Sequence, residues 1–241
     1  MNILLFEENE LQLYLPLNDL RARHIKEVLR MSKGNQLFLG IINGNRGKAT
    51  IVEDSIDGLL FEIDWEPEFP ISLPITLIAG LPRPQTSRKI LEECTSMGVA
   101  RIFFFSSEKG EPSYINSKLW QTNEWKRHLI KGAEQAFSTT IPQVMHFENL
   151  SNCLHFLENE NNHACSIALD NYEASLSLTE ALKTKDTYTL AVGSERGWSK
   201  NERDLLRESK FILAHLGNRV LRTETACIAG VSLVLSKLRI I

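Results

Sequence analysis

The chain has 241 residues, with 27 Lys and Arg against 30 Asp and Glu, a formal charge of −3, 43% hydrophobic and 24% charged residues. That balance is the one of an ordinary water-soluble globular protein, and the length suits two unequal domains better than one. A membrane-spanning protein is excluded as an expectation, because the longest apolar stretch, Ala226 to Leu235, is too short for a bilayer and contains Gly230 and Ser232.

The first part of the chain reads as strands with turn punctuation. Short apolar runs (Leu37–Leu39, Ala49–Val52, Leu59–Phe61) are separated by Gly34, Asn43-Gly44-Asn45 and Asp57-Gly58, and one helix is expected around Leu20 to Arg30. This predicts a small β-barrel-like module over residues 1–70. Its charges are uneven. Arg21, Arg23, Lys26, Arg30, Lys33, Arg46 and Lys48 face a single acid, Glu27, whereas the stretch from Glu53 to Glu68 holds seven acids and no base. Two readings stand side by side: solvated faces of a small domain, or a basic patch for a phosphate backbone. The proline-punctuated stretch from Asp64 to Pro74 reads as a linker.

From residue 74 to 241 strand and helix alternate. Strands are expected at Ile75–Ala79, Val99–Phe105, His163–Leu169, around Leu190–Val192, and at Lys210–Leu216. Helices are expected from a cap near Thr86 or Ser87 to a stop at Gly98, at Leu119–Gln135, at Ala174–Leu182, from the capping box Ser199–Glu202, and from about Thr225 to the end. Such alternation predicts an α/β domain with a mostly parallel sheet covered on both faces. Ligands of these sheets bind outside the carboxyl ends of the strands. Two glycine-bearing loops lie there, "VGSERGWS" (Val192–Ser199) and "HLGNRVLRTET" (His215–Thr225), and glycine lets backbone approach a ligand closely.

Gly193 and Gly197 give G-x-x-x-G, which is not the dinucleotide fingerprint, and no Gly-Lys-Ser/Thr follows for a phosphate loop. The six histidines form no H-x-x-x-H pair, and Cys94, Cys153, Cys165 and Cys227 lie far apart without a C-x-x-C, so neither a metal site nor a disulfide framework is signalled. The opening residues, Met1-Asn2 followed by Glu7, Glu8 and Glu10, do not read as a signal peptide, and a cytoplasmic location is expected.

"LGNRVLRTETA", Leu216 to Ala226, resembles the L-G-x-R-[IV]-L-R-T-E-T-A signature of the RsmE family of ribosomal RNA methyltransferases in the SPOUT superfamily. "VGSERGWSKNE" resembles that family's G-P-E-G-G-[FW]-S-x-x-E loop, with Ser194 and Arg196 in place of proline and glycine. "LIAGLPRPQTSRKILEECTSMGVARIFFFSSE", the Gly132-Ala133-Glu134-Gln135 helix and "RHIKEVLRMSKGN" extend the likeness over most of the chain. After Gln135 the family commonly shows a small residue, glycine and arginine; here Ala136-Phe137-Ser138-Thr139 follows.

The resemblance implies a PUA-like RNA-binding barrel followed by a SPOUT α/β domain with a trefoil knot. It implies S-adenosyl-L-methionine as methyl donor, N3 of a uridine in small-subunit ribosomal RNA, free or in the assembling 30S subunit, as acceptor, and a homodimer. A SPOUT enzyme with another RNA target and a non-catalytic RNA-binding assembly factor are the rival readings. The implied cofactor residues are Leu169, Val192, Gly193, Ser194, Glu195, Gly197, Leu216, Gly217, Val220, Leu221 and Thr223, and a bulky residue at Gly217 is expected to fill the backbone's approach to the cofactor. Arg21, Arg23, Arg30, Lys33 and Arg196 are the candidates for RNA.

Arg222 and Glu195 are the catalytic candidates. Arg222 either pairs with Glu224 or Glu195 and holds the loops together, or stabilises charge on the uracil as N3 loses its proton, a task that suits a planar, permanently charged donor fork. Glu195 reads as an orienter accepting N–H groups of its own loop, Glu224 as a complement to a helix start, and Thr223 and Thr225 as caps. The final helix (Cys227, Ile228, Val231, Leu233, Val234, Leu235, Leu238) is apolar over more than one stripe, which supports the dimer.

Overall fold

A computed structural model describes residues 3–10, 13–67, 71–160 and 164–241. The chain divides into two compact units, Met1–Ile71 with Ala133–Ile141, and Ser72–Gly132 with Pro142–Ile241.

The first unit is a curled five-stranded sheet: β1 (Ile3–Phe6), β2 (Tyr14–Pro16), β3 (Gln36–Ile41), β4 (Arg46–Asp54) and β5 (Gly58–Trp65) in the order β1-β3-β4-β5-β2. Only β1 and β3 run parallel. Gly47, Ala49 and Ile51 alternate inward along β4, as period-two pleating requires, and join Phe6, Leu39, Leu59 and Phe61 in the core. The helix expected over Leu20–Arg30 is α1 (Leu20–Arg23), capped by the Asp19 carboxylate on the Arg21 N–H, and then a π-helical turn, His24–Val28. Arg30 closes it in the left-handed region at φ 54°.

The basic run is partly spent inside this unit. Arg21 bonds Asp19 and Glu10 and lies over the Phe6 ring, Lys26 pairs with Asp54, and Arg46 with Glu66. The Arg21 hydrogen bond holds the Asp19 carboxyl below its ordinary range. Arg23, Arg30, Lys33 and Lys48 are exposed and, among the described residues, have no carboxylate partner. The expected linker shortens, since β5 runs to Trp65 and the next strand begins at Leu73; residues 68–70 lie outside the described residues.

The second unit is a seven-stranded sheet, every pair parallel. Its strands are β6 (Leu73–Gly80), β7 (Val99–Phe105), β8 (Gln143–Phe147), β9 (Cys165–Leu169), β10 (Leu176–Ser177), β11 (Tyr188–Val192) and β12 (Ile212–His215), in the order β10-β12-β9-β11-β6-β7-β8. All five residues of β11 are buried, as befits a central strand covered on both faces. Helices α2 (Pro84–Ser96) and α8 (Thr223–Lys237) pack on each other and on β7 and β11. Helices α5 (Leu150–Asn159) and α7 (Lys200–Glu208) supply Leu150, Cys153, Leu154 and Leu206 to the core around Ile78, Phe103 and Trp198. The capping box at Ser199 and Glu202 forms as expected. All four cysteines are free and buried, and burial pushes the Cys94 and Cys153 thiols up to about 12.

Several boundaries differ from the expectation. The helix over Leu119–Gln135 is two, α3 (Lys118–Gln121) and α4 (Glu124–Gln135), because Thr122 is extended and its hydroxyl accepts the Glu124 N–H. Ala174–Leu182 is mostly not helical: Leu176–Ser177 pairs with β12, and only α6 (Leu178–Ala181) follows its own capping box. His163 lies outside the described residues, and its strand starts at Cys165. Thr86 and Ser87 sit inside α2, whose N-cap is Arg83 with Pro84 first, and Thr223 and Thr225 do not cap α8, whose N-cap is Arg222.

Ala133–Ile141 packs with the first unit. The Arg46 guanidinium lies 4.7 Å over the Phe137 ring and donates to the Phe137 carbonyl at 2.9 Å, while Phe38 meets the ring edge-on at 4.7 Å. Asn43 donates its N–H to the Thr139 carbonyl at 2.8 Å, and the Thr139 hydroxyl donates to the Gly44 carbonyl at 2.7 Å. Phe137 pays for this packing with a left-handed backbone, φ 55°, at the position where the resembling family has glycine. Phe137→Ala is therefore expected to destabilise by roughly 2–3 kcal/mol, less than a fully buried Phe, and Phe137→Gly by about 1 kcal/mol less, because glycine adopts this φ freely. Urea unfolding of both variants checks the order; alanine more stable than glycine would refute the strain.

Candidate active site

Three loops at the carboxyl ends of β9, β11 and β12 converge on one cavity of about 430 Å³. The central one is built by Trp198. Its indole N–H donates to the Leu169 carbonyl at 2.8 Å, its ring stacks on Phe105 (5.8 Å between centroids, 3° between planes), and its own carbonyl accepts the Lys109 ammonium at 2.8 Å. Between β11 and Trp198 the chain makes a tight turn: the Gly197 N–H donates to the Ser194 carbonyl at 2.8 Å, with Gly197 at φ 68°. Gly80, at the end of β6, lies so close that a Cβ there would sit 2.6 Å from the Ser194 nitrogen.

The loop after β9 is fixed by a buried ion pair. Asp170 accepts the N–H groups of Tyr172 (2.5 Å) and Glu173 (2.8 Å) and pairs with Arg203 of α7; the Asp170 side chain is fully buried and that of Arg203 nearly so. Asn171 then donates to the Arg219 carbonyl at 3.0 Å, which ties this loop to the one after β12.

Of the residues expected around a cofactor, Leu169, Val192, Gly193, Ser194, Glu195, Gly197, Leu216, Val220, Leu221 and Thr223 all line this cavity, and Gly217 does not. A Cβ at Gly217 would meet no protein atom within 4 Å, and its left-handed φ of 97° is one that glycine adopts freely. Sequence reasoning did not mark Arg83, Thr86, Asp170, Asn171, Tyr172 and Arg203, which also line it. Arg83, Asn171 and the Asp170–Arg203 pair find partners far away in the chain, which leaves no local pattern to read.

Arg222 and Glu195 both face the cavity but do not pair. Glu195 accepts the backbone N–H of Arg83 at 3.0 Å, a group of the loop after β6 and not of its own loop. Glu224 is buried and pairs with Lys89 at 3.2 Å. Burial pushes its carboxyl up, but its N–H at the helix start, Lys89 and the charge of Arg222 outweigh this and bring it below the ordinary value. The Arg222 side chain is exposed and, among the described residues, has no hydrogen bond or ion pair. Among the described residues no group of three or more His, Cys, Asp or Glu could hold a metal ion, and no helix is long and apolar enough to cross a membrane.

Residues 68–235 match the RNA methyltransferase domain family and residues 17–64 the RNA methyltransferase PUA domain family. The chain is 35% identical to the ribosomal RNA small subunit methyltransferase E of Treponema pallidum, covering 98% of this chain and 91% of that protein. It is 30% identical to ribosomal RNA small subunit methyltransferase E 1 of Borreliella burgdorferi, covering 99% of each. The chain belongs to the ribosomal RNA small subunit methyltransferase E family. The crystal structure of a small subunit methyltransferase E from Neisseria gonorrhoeae, bound to S-adenosyl methionine, shares the fold with a TM-score of 0.80 at 24% identity, over 98% of this chain and 97% of that one.

Against that family's loop pattern, Arg196 replaces a glycine without strain, because its φ is not positive, and its exposed guanidinium has no partner among the described residues. Ser194 is buried in place of proline, its hydroxyl 3.3 Å from the Gly197 carbonyl. The apolar residues of α8 are largely used inside the chain: Cys227, Val231, Val234 and Leu235 are buried within it, and Ile228, Leu233 and Leu238 stay half-covered. Apolar character of this helix therefore does not by itself require a partner.

The Asp170–Arg203 pair predicts a specific stability pattern. Arg203→Met leaves an uncompensated buried carboxylate and should cost ~3–5 kcal/mol. Adding Asp170→Asn should restore part of that loss, and denaturant unfolding of the single and double variants measures it.

Proposed function

We propose that this chain is an S-adenosyl-L-methionine-dependent methyltransferase acting on N3 of a uridine in small-subunit ribosomal RNA. The observation that carries the reading is the convergence of both motif loops, with all but one of the expected cofactor residues, on a single cavity. Its size falls within the ~300–1,000 Å³ of small-molecule sites. The donor set suits the cofactor: Leu169, Val192, Trp198, Leu216 and Leu221 give apolar walls for an adenosine, backbone groups of both loops flank them, and no Gly-Lys-Ser phosphate cradle accompanies them. Bound there, S-adenosyl-L-methionine supplies a methyl group on a sulfonium. The relatives' names and the cofactor bound by the Neisseria gonorrhoeae protein support the same reading.

The chain's own residues position and compensate charge. Trp198 and the Asp170–Arg203 pair hold the loops, Glu195 fixes the Arg83 loop against them, and Arg222, free of partners, meets the negative charge that the uracil gains when N3 loses its proton. The trefoil knot, the division into a PUA-like unit near 1–70 and a SPOUT unit near 74–241, the cytoplasmic location and a homodimer belong to the same proposal. So does RNA capture by Arg23, Arg30 and Lys33. Arg21, committed to Asp19 and Glu10, contributes to the fold of that surface and is the weakest of the RNA candidates.

Saturating S-adenosyl-L-methionine is expected to raise the melting temperature, and NAD is not. Arg222→Ala should cut turnover on small-subunit ribosomal RNA about 10²-fold or more while melting temperature and cofactor affinity stay put, since only a transition-state contact is lost. A destabilised but fully active variant would end the catalytic assignment of Arg222.

The triple variant Arg23→Ala, Arg30→Ala, Lys33→Ala should weaken RNA binding and flatten its salt dependence without changing cofactor affinity. An unchanged salt slope would reduce these residues to a solvated face.

A further inference from the structure

Beside the first cavity lies a second, of about 400 Å³, in the same unit. The two share the wall formed by Arg83, Glu195 and Arg196, and the second is completed by the loop after β7, with Lys109, Glu111 and Tyr114. A methyl acceptor has to come within about 3–3.5 Å of the group it attacks, so it enters through space contiguous with the donor's cavity. This cavity borders the donor's along the residues they share.

Its lining has the chemistry of a nucleotide site. Both carboxylates are occupied by backbone, Glu195 on the Arg83 N–H (3.0 Å) and Glu111 on the Ser113 N–H (3.4 Å). Lys109 is held by the Trp198 carbonyl, and Arg83 makes one long bond, 3.4 Å, to the Thr86 hydroxyl. That leaves the Arg196 guanidinium and the half-buried ring of Tyr114 without a side-chain partner among the described residues. Three cations against two occupied carboxylates attract phosphate, and an aromatic face beside them accepts an unstacked base.

We propose that this second cavity receives the acceptor nucleotide of the RNA, with Tyr114 as the surface on which its base stacks and Arg83 and Arg196 as the contacts for its phosphates. The proposal rests on reading the first cavity as the methyl donor's site. Tyr114 is a binding residue for the acceptor and Arg196 the phosphate contact nearest the turn, which gives the arginine that replaces the family's glycine a use.

The test uses the full chain, S-adenosyl-L-methionine, small-subunit ribosomal RNA, and a uridine-containing single-stranded oligonucleotide bound in the presence of S-adenosylhomocysteine. Tyr114→Ala and Arg196→Ala should each raise KM for the RNA and weaken oligonucleotide binding roughly tenfold, as loss of a base stack or phosphate contact does. Tyr114→Ala should leave cofactor affinity unchanged, because Tyr114 does not line the donor's cavity, and Tyr114→Phe should behave as the native protein. If Tyr114→Ala fails to fold, Tyr114→Leu and Arg196→Ala decide the matter. Native cofactor binding with unaltered KM and oligonucleotide affinity in the folded variants overturns this proposal alone. A native chain that binds no S-adenosyl-L-methionine overturns the methyltransferase reading, and this proposal with it.

Discussion

One indole holds the candidate site together. Trp198 spends its N–H on the Leu169 carbonyl, its face on Phe105 and its carbonyl on Lys109, and so joins the loops after β9, β7 and β11 at one buried point. A buried indole N–H left unpaired is costly, and a ring this large cannot shift in a close-packed core without moving its neighbours. The tight turn from Ser194 to Gly197 is therefore presented on a rigid base, and the cavity's geometry is inherited from the packing of the sheet.

Charge is distributed around that base in a consistent way. Every carboxylate at the cavity is already answered: Asp170 by Arg203 and two N–H groups, Glu195 by the Arg83 N–H, Glu224 by Lys89. Arg222 and Arg196 are left unanswered on the same surface. With each acid already engaged by another partner, these guanidiniums stay available for a ligand that brings its own negative charge, whether developing on a base or fixed on a phosphate.

The parts of this arrangement that could be read from the residue order are the local ones. The capping box at Ser199, the apolar end of β11 at Leu190–Val192 and the long motif from Leu216 to Ala226 each carry their signal within a dozen residues. The rest depends on distant partners. Glu195 finds Arg83 from more than a hundred positions away, Asp170 meets Arg203 across β10, α6 and β11, and Ala133–Ile141 joins the first unit through Asn43, Gly44 and Arg46. Local spacing also misled at Ala174–Leu182, where Leu178, Ala181 and Leu182 give a helical face but the edge of β12 captures Leu176 and Ser177 first.

The burial of all four thiols has a practical side. Cys94 and Cys227 lie on the buried faces of α2 and α8, Cys153 on that of α5 and Cys165 in β9, with ionisation suppressed at Cys94, Cys153 and Cys227. Since the thiolate is the reactive species, the folded chain presents thiol reagents with nothing to attack. A cysteine introduced at position 196, exposed and free of left-handed backbone, would be the one addressable sulfur on the molecule. It would stand at the shared rim of the two cavities, where a single dye or crosslinker reports on both.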